Sequence, residues 1–226
     1  MTDTLEAISR SLANEVRTLG TISQNVANAH TPGYRALRTG PDFADAAGLR
    51  TVADQRDGGL TQTGRPLDIA LRGQGFLLVE RDGQALLARS GALRLDADGV
   101  LVTAQGEAVL GMGGPIVIPN GSAAKVRVDA DGRIWADDRE VDQLRLVSAT
   151  QPDGVTPMGA GTYTYSGELQ PWQGSVVQGA LERANVDAAD EMLRLMETTR
   201  HIDSVRRAIS TYDQMLDRGI NNLGNN

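Results

Sequence analysis

The chain of 226 residues has no cysteine, only two histidines and few aromatic residues. Without cysteine it can form no disulfide, no thiolate nucleophile and no cysteine-ligated zinc or iron–sulfur site. His30 and His201 lie far apart in the sequence, which excludes a histidine-rich metal centre. Because aromatic residues make up 4% of the chain, its core must be built mainly from Val, Leu, Ile and Ala. We therefore expect neither a metal nor a cofactor.

Long apolar runs and an excess of positive charge are also missing. No apolar run reaches the roughly 18 residues that a transmembrane helix needs, so no membrane span is predicted. The N-terminal residues mix acids and bases and lack the continuous apolar stretch of a secretory signal. The formal net charge of −7 argues against nucleic acid or an anionic membrane surface as the main partner.

Both ends of the chain carry apolar residues at a spacing of seven, which is typical of a helical packing seam. The row in residues 1–29 is Leu5, Leu12, Leu19 and Val26, and the row in residues 180–223 is Leu181, Ala188, Leu195, Ile202, Ile209, Leu216 and Leu223. Asn185 or Asp187 is the expected N-cap of the second helix. Two such helices can fold back antiparallel as a coiled-coil-like stalk. Because two helices share only a small core, we expect them to need neighbouring subunits.

The central part of the chain, residues 56–178, has short apolar runs between glycine-rich turns, as in a domain of short antiparallel strands. The expected strands are LDIAL (67–71), FLLVE (76–80), ALLAR (85–89), LRL (93–95), VLVT (100–103), PIVIP (115–119), KVRV (125–128), RIWA (133–136) and LRLVSA (144–149). The expected hairpin turns are Asp82-Gly83, Asp98-Gly99, Asn120-Gly121 and Asp131-Gly132. The predicted fold class is therefore α+β, with terminal heptad helices around a central all-β domain.

Two motifs could indicate ligand chemistry, but simpler explanations account for both. The DADG sequences at 96–99 and 129–132 resemble the start of a calcium loop, yet the fifth positions hold Val100 and Arg133 instead of an oxygen ligand. Gly73-Gln74-Gly75 precedes a strand and not a helix, so it fails the test for a dinucleotide site. The acidic residues show no spacing that pairs two of them for glycoside hydrolysis. No catalytic, cofactor-binding or metal-ligating residue is predicted, and the chain is not expected to be an enzyme.

Three regions of the sequence are specific enough to indicate a family. SQNVANAHTPGYRALR (23–38) is similar to an N-terminal signature, and ALERANVDAADEMLRLMETTRHIDSVRRAISTYDQML (180–216) is similar to a C-terminal one. TGRPLDIALRGQGFLLV (63–79) and ARSGALRLDADGVLVTAQGEAVLG (88–111) resemble the central part of the same family. Together they resemble the rod and hook axial proteins of bacterial flagella, and VLGMGGPIVIP (109–119) and the short length favour a proximal rod subunit.

The resemblance implies the domain plan. Residues 1–34 and 179–226 would supply the helices of an inner tube domain, 35–55 a linker and 56–178 an outer β-rich domain. It also implies a structural subunit that polymerises into the drive shaft transmitting torque.

The partners implied are other rod subunits and the flagellar type III export apparatus. The chain would cross the periplasm in the basal body and be exported without a cleaved signal peptide. A distal rod or hook subunit is the alternative within the family. A periplasmic domain that binds or hydrolyses peptidoglycan is the alternative of another class.

The residues expected to form the contact between subunits lie on the two terminal helices and in the turns beside them. Tyr34 could equally be an anchor in the core of the chain. Those residues are Leu5, Leu12, Leu19, Asn25, Val26, Asn28, Pro32, Gly33, Tyr34, Asn185, Met192, Leu195, Ile202, Ile209 and Leu216.

Overall fold

The computed structural model describes residues 2–41, 49–119, 123–151, 154–159 and 161–224. Helices α1 (Thr2–Ala27) and α2 (Ala188–Gly224) stand at the two ends of the chain, with short strands between them. The strands are β1 (Leu37–Pro41), β2 (Leu49–Ala53), β3 (Leu60–Gln62), β4 (Ile69–Arg72), β5 (Phe76–Arg81), β6 (Gln84–Ala88), β7 (Leu93–Leu95), β8 (Leu101–Thr103), β9 (Ala108–Gly111), β10 (Gly114–Pro115), β11 (Val126–Val128), β12 (Arg133–Ala136), β13 (Arg139–Gln143), β14 (Leu146–Ala149), β15 (Thr156–Gly159), β16 (Thr162–Thr164), β17 (Leu169–Pro171), β18 (Ser175–Gln178) and β19 (Ala180–Glu182). The predicted α+β class is confirmed.

The chain divides into two compact units. The helical unit comprises Met1–Val26, Thr39–Thr51 and Asp187–Asn226, and the β-rich unit comprises Ala27–Arg38 and Val52–Val186. The stretch 35–55, expected to be a linker, contains the paired strands β1 and β2 on either side of 42–48, which lie outside the described residues. No helix in the described part of the chain is long and apolar enough to cross a membrane.

Helix α2 begins later than the heptad row predicts. The expected helix over 180–223 starts only at Ala188, because Ala180–Glu182 forms β19. The Asp187 carboxylate accepts hydrogen bonds from the amides of Ala189 (2.9 Å) and Asp190 (3.2 Å), as an N-cap does. Leu181, the first residue of the row, is therefore a strand residue.

One sheet dominates the β-rich unit. Its strands follow the order β15-β16-β6-β5-β9-β8-β7, with β10 beside β9 and with β14 between β5 and β17. Asp82-Gly83, Asp98-Gly99 and Asp131-Gly132 lie in the connections β5–β6, β7–β8 and β11–β12, as expected, and Asn120-Gly121 lies outside the described residues. The expected strand over 115–119 is reduced to Pro115 in β10 and a single bridge at Val117. The two prolines in that stretch lack the N–H that a longer ladder needs.

The central strand β5 is buried on both faces. Leu77 and Val79 point into one apolar cluster, whereas Phe76 and Leu78 point into a second one. In the second cluster the ring of Phe76 meets that of Tyr163 edge to face, with the ring centres 5.5 Å apart. This double burial explains why the strand reads as a continuous apolar run and not as an alternating one.

Candidate functional site

The two terminal helices pair antiparallel within the helical unit. Asn25 Nδ2 of α1 donates a 3.1 Å hydrogen bond to Glu191 Oε2 of α2, and both side chains are buried. Glu15 of α1 lies 3.8 Å from His201 Nε2 of α2. Moving ten residues back along α1 thus means moving ten residues forward along α2, which is the geometry of an antiparallel helix pair.

Most of the row members on α1 and α2 whose side chains the structure describes are at least partly buried, and Ala188 is exposed. Ile202 is 6% exposed, and Ile22 of α1, which lies outside the seven-residue row, is 5% exposed. Five further members of the rows are half-buried: Leu12, Leu19, Val26, Leu195 and Ile209. The side chains of Leu5 and Leu216 lie outside the described residues. The row residues are thus partly buried within the chain itself. A contact of the rows with another subunit stays a prediction.

A second set of apolar side chains on α2 is exposed. Met192, Leu193 and Met196 are 50%, 56% and 48% exposed and form what we call the outward stripe. Tyr212 and Met215 extend exposed apolar surface towards the C-terminal end of the helix. Only Met192 of these five is among the residues expected at the subunit contact. The spacing of Leu193, Met196 and Met215 does not continue the seven-residue rows, so heptad analysis does not select these three residues.

The turn that follows α1 is fixed by polar contacts in the β-rich unit. The amide and the hydroxyl of Thr31 both donate to Asn28, to its carbonyl at 3.0 Å and to its side-chain oxygen at 3.2 Å. Pro32 is half-buried. Gly33 donates from its amide to the Glu182 carbonyl at 2.8 Å. Tyr34 is 4% exposed and belongs to the second apolar cluster, so within the chain it is a core residue.

Asn185 joins three segments of the β-rich unit. Its side-chain oxygen accepts from the amide of Ala36 at 2.6 Å, and its Nδ2 donates to the carbonyls of Asp54 (3.0 Å) and Arg56 (2.7 Å). Its own amide donates to the Tyr34 carbonyl at 3.3 Å. Both ends of the Asn185 amide group therefore hold neighbouring backbone, so it acts here as a clasp within the chain. A contact of Asn185 with another subunit stays a prediction.

A buried ion cluster, not foreseen from the sequence, lies beside this clasp. Arg89 donates from Nε to Glu182 at 2.5 Å and from Nη2 to Asp57 at 3.1 Å, and Arg35 donates to Asp57 at 3.1 Å. Arg89 also donates to three backbone carbonyls, those of Leu71 (2.9 Å), Gly73 (2.7 Å) and Gly75 (2.5 Å). Two cations and two anions balance, which allows both guanidinium groups to be buried.

The cluster controls the protonation of its one accessible carboxylate. Burial alone would raise the pKa of Asp57, but the amide of Gly73 and the guanidinium groups of Arg89 and Arg35 outweigh it, so the pKa of Asp57 lies below its ordinary value. Burial and the nearby Arg35 cation lower the pKa of Arg89, against the opposing pull of Glu182 and Asp57. Ionised Asp57 therefore stabilises the folded β-rich unit.

Replacing Asp57 by Asn is expected to make the free energy of unfolding fall less steeply as the pH is lowered. Ionised Asp57 contributes to stability above its unfolded-state pKa of about 3.9, and this contribution disappears as the pH falls through the lower folded-state value. Urea midpoints measured by tryptophan fluorescence between about pH 5 and pH 2 should therefore fall less steeply in Asp57→Asn than in the parent chain. Parallel curves for the two proteins would contradict this assignment.

The acidic motif that resembles a calcium loop has the geometry of a turn. The residues that the structure describes contain no group of three or more His, Asp or Glu side chains that could hold a metal ion. In the first DADG loop the Asp96 carboxylate accepts from the amides of Asp98 (2.9 Å) and Val100 (2.8 Å), which is turn chemistry. A groove of about 220 Å³ with a mainly apolar lining lies between Pro32, Thr61 and Leu181, and the side chains of His30, Glu182 and Arg183 also line it.

Comparison with known proteins identifies the family to which the chain is similar. Residues 177–223 match the family described as the flagellar basal body rod FlgEFG protein C-terminal, and residues 70–136 match the flagellar hook protein FlgE/F/G D1 domain. The rod protein FlgF of Rhizobium meliloti (strain 1021) is 31% identical over 96% of each chain. The chain belongs to the flagellar basal-body rod and hook family.

Other members of the rod family cover most of the chain as well. FlgF of Escherichia coli (strain K12) is 34% identical over 87% of this chain and 88% of its own. FlgG of Bacillus subtilis (strain 168) is 29% identical over 90% of this chain and 92% of its own. Each of these relatives covers at least 87% of the chain, so the family relationship extends well beyond a single motif.

Proposed function

We propose that this protein is a structural, non-enzymatic subunit of the proximal segment of the flagellar rod. The FlgF relatives, at 31% and 34% identity over most of the chain, support this segment. The observation that carries the proposal is the exposed apolar face on the paired terminal helices of a chain that belongs to this family. A distal rod place, as suggested by the FlgG relatives, is the alternative within the same class.

The outward stripe is the surface that would contact other rod subunits. The seam between α1 and α2 is already occupied within the chain, whereas Met192, Leu193 and Met196 are about half exposed. Full burial of such a side chain contributes roughly 1.5–3 kcal/mol. Methionine also adapts its shape to different neighbours, which suits a subunit that meets both its own copies and unlike rod proteins.

A contact of this kind builds a tube when it joins unlike surfaces. The stripe of one subunit would pack on a different surface of the next, so the contact repeats without closing on itself. The resulting shaft would transmit torque across the periplasm as part of the basal body. Delivery by the flagellar type III export apparatus, without a cleaved signal peptide, belongs to the same proposal.

Methionine oxidation tests which surface is covered in the assembled rod. Met192 and Met196 are 50% and 48% exposed, and Met158 in the β-rich unit is a matched reference at 51%. We expect hydrogen peroxide to oxidise all three at similar rates in the free protein. In isolated basal bodies Met192 and Met196 should be protected, as read by mass spectrometry of the peptides. Equal rates for these two residues in the free and assembled protein would contradict the proposal.

Two charged substitutions on α2 separate the seam from the outward stripe. Met196→Asp should leave the helical circular dichroism of the monomer unchanged and prevent incorporation into the rod, because it charges the outer contact. Ile202→Asp should reduce the helical signal itself, because it places a charge at a buried position of the helix pair. The unfolding of the β-rich unit should be unchanged in both.

Gln105→Asp provides the matched control for these variants. It introduces the same charge at an exposed turn of the β-rich unit and should be incorporated normally. Wild-type incorporation of Met196→Asp would exclude the outward stripe as the subunit contact.

The number of copies in each basal body decides between the rod segments. Quantitative mass spectrometry of purified hook–basal bodies should find a few copies of this chain if it occupies the short proximal segment. Many copies would place it in the distal rod or hook instead. Complete absence would contradict a rod function altogether.

A further inference from the structure

The last segment of the β-rich unit, residues 175–185, closes two separate pairs of strands. Its strand β18 pairs with β4 over four residues, from Ser175 opposite Arg72 to Gln178 opposite Ile69. Its strand β19 pairs with β3, from Ala180 opposite Gln62 to Glu182 opposite Leu60. Among the described strands, β3 and β4 have no other ladder partner. We call this segment the closing strap.

The closing strap also supplies buried apolar and charged partners. Val176 and Ala180 are 5% and 1% exposed, and Val176 belongs to the first apolar cluster. Glu182 accepts from Arg89 and, at 2.8 Å, from the amide of Gly58. Without the strap, Arg35 and Arg89 would share the single carboxylate of Asp57, which leaves a net positive charge in a buried place.

These contacts join parts of the sequence that are far apart. The Ala36–Asn185 hydrogen bond spans 149 positions, the Gly58–Glu182 bond 124 and the Arg89–Glu182 bond 93. Closing loops of this length costs entropy before any contact is gained, so such contacts form late. The two residues of each such hydrogen bond are present together only after most of the chain has been delivered, whichever end is delivered first.

We propose that the closing strap is the gate for folding of the β-rich unit. The unit has no stable form without the strap, and docking of residues 175–185 is the step that completes it. A chain that is still incomplete therefore keeps its β-rich unit unfolded. Delivery of an unfolded chain by the export route proposed above would be compatible with this gate. That consequence rests on the proposed route, whereas the gate itself does not.

Hydrogen exchange on the full-length chain tests the gate. The amides of β5 and β6 (77–88) report the centre of the sheet, and those of 176–182 report the strap. As urea is raised under native conditions, we expect both sets to exchange through the same opening, with equal rates relative to their unfolded values. In pulse labelling during refolding, both sets should become protected in one kinetic phase. Protection of 77–88 while 176–182 exchanges freely would overturn the proposal.

A variant that weakens only the clasp gives a second readout. Asn185→Ala removes three side-chain hydrogen bonds and should accelerate exchange at 176–182 and at 77–88 by the same factor, on the order of tenfold or more. Gln105→Ala, at an exposed turn, should change neither. Faster exchange confined to 176–182 would mean that the strap opens alone, and the gate would be excluded. Because the measurement uses the isolated chain, its result is independent of whether the protein enters a rod.

Discussion

Arg89→Met is expected to lower the free energy of unfolding of the β-rich unit by about 3–5 kcal/mol. The substitution removes a fully buried cation and leaves the carbonyls of Leu71, Gly73 and Gly75 without their donor. Buried acceptors that lose their partner carry their full desolvation cost. Arg89→Lys should recover only part of the loss, because an ammonium group cannot reproduce the planar fork of donors.

Urea unfolding followed by tryptophan fluorescence measures this loss in the right part of the molecule. Both tryptophans, Trp135 and Trp172, lie in the β-rich unit, so the signal does not report the helix pair. Arg133→Met is the matched control, since Arg133 is paired with Asp131 at 2.7 Å on the surface, where it should cost less than about 1 kcal/mol. An equal effect of the two substitutions would show that the buried cluster contributes no more than a surface pair.

Gly33→Ala is expected to destabilise the β-rich unit by about 2–5 kcal/mol. Gly33 has a φ of +69°, and a Cβ there would lie 2.6 Å from the backbone nitrogen of Ser90. The new side chain is therefore penalised twice, by the left-handed backbone and by collision with another segment. The collision involves backbone atoms, which cannot swing aside as the end of a long side chain can.

Gly64→Ala separates these two effects. Gly64 has the same φ of +69°, but a Cβ added there would meet no atom within 4 Å, so only the backbone cost of about 1–2 kcal/mol applies. The difference between the two urea midpoints then gives the cost of the collision at Gly33. If Gly33→Ala and Gly64→Ala lose the same stability, the close approach of Gly33 to Ser90 does not restrict residue 33.

Sequence patterns predict the elements whose signal is local. The seven-residue spacing predicts both helices, and the strands at 93–95 and 133–136 have the expected bounds. Strands with few apolar residues, such as β15 and β17, escape prediction because their order comes from neighbouring strands in the sheet. The prediction of helix at β19 is wrong because Leu181 has the seven-residue spacing of the row but lies in a strand.

The ion cluster and the clasp could not be predicted from local pattern. Arg35, Asp57, Arg89 and Glu182 come from four distant segments, and no periodicity connects them. The available signal is weak: Arg89 directly follows the apolar run of β6, where a charged residue has to find a buried partner or leave the sheet. The family resemblance points to the motif of Asn185, but it does not say which atoms the amide group of this residue binds.

The double burial of β5 determines how its sequence can vary. A strand with one solvent-exposed face can accept polar substitutions at every second position. In β5 the side chains of Phe76, Leu77, Leu78 and Val79 are all buried. We therefore expect none of these four positions to tolerate a polar substitution. In saturation mutagenesis, polar substitutions at all four positions should therefore destabilise the protein. Variation among homologous sequences should be confined at these positions to exchanges between apolar side chains.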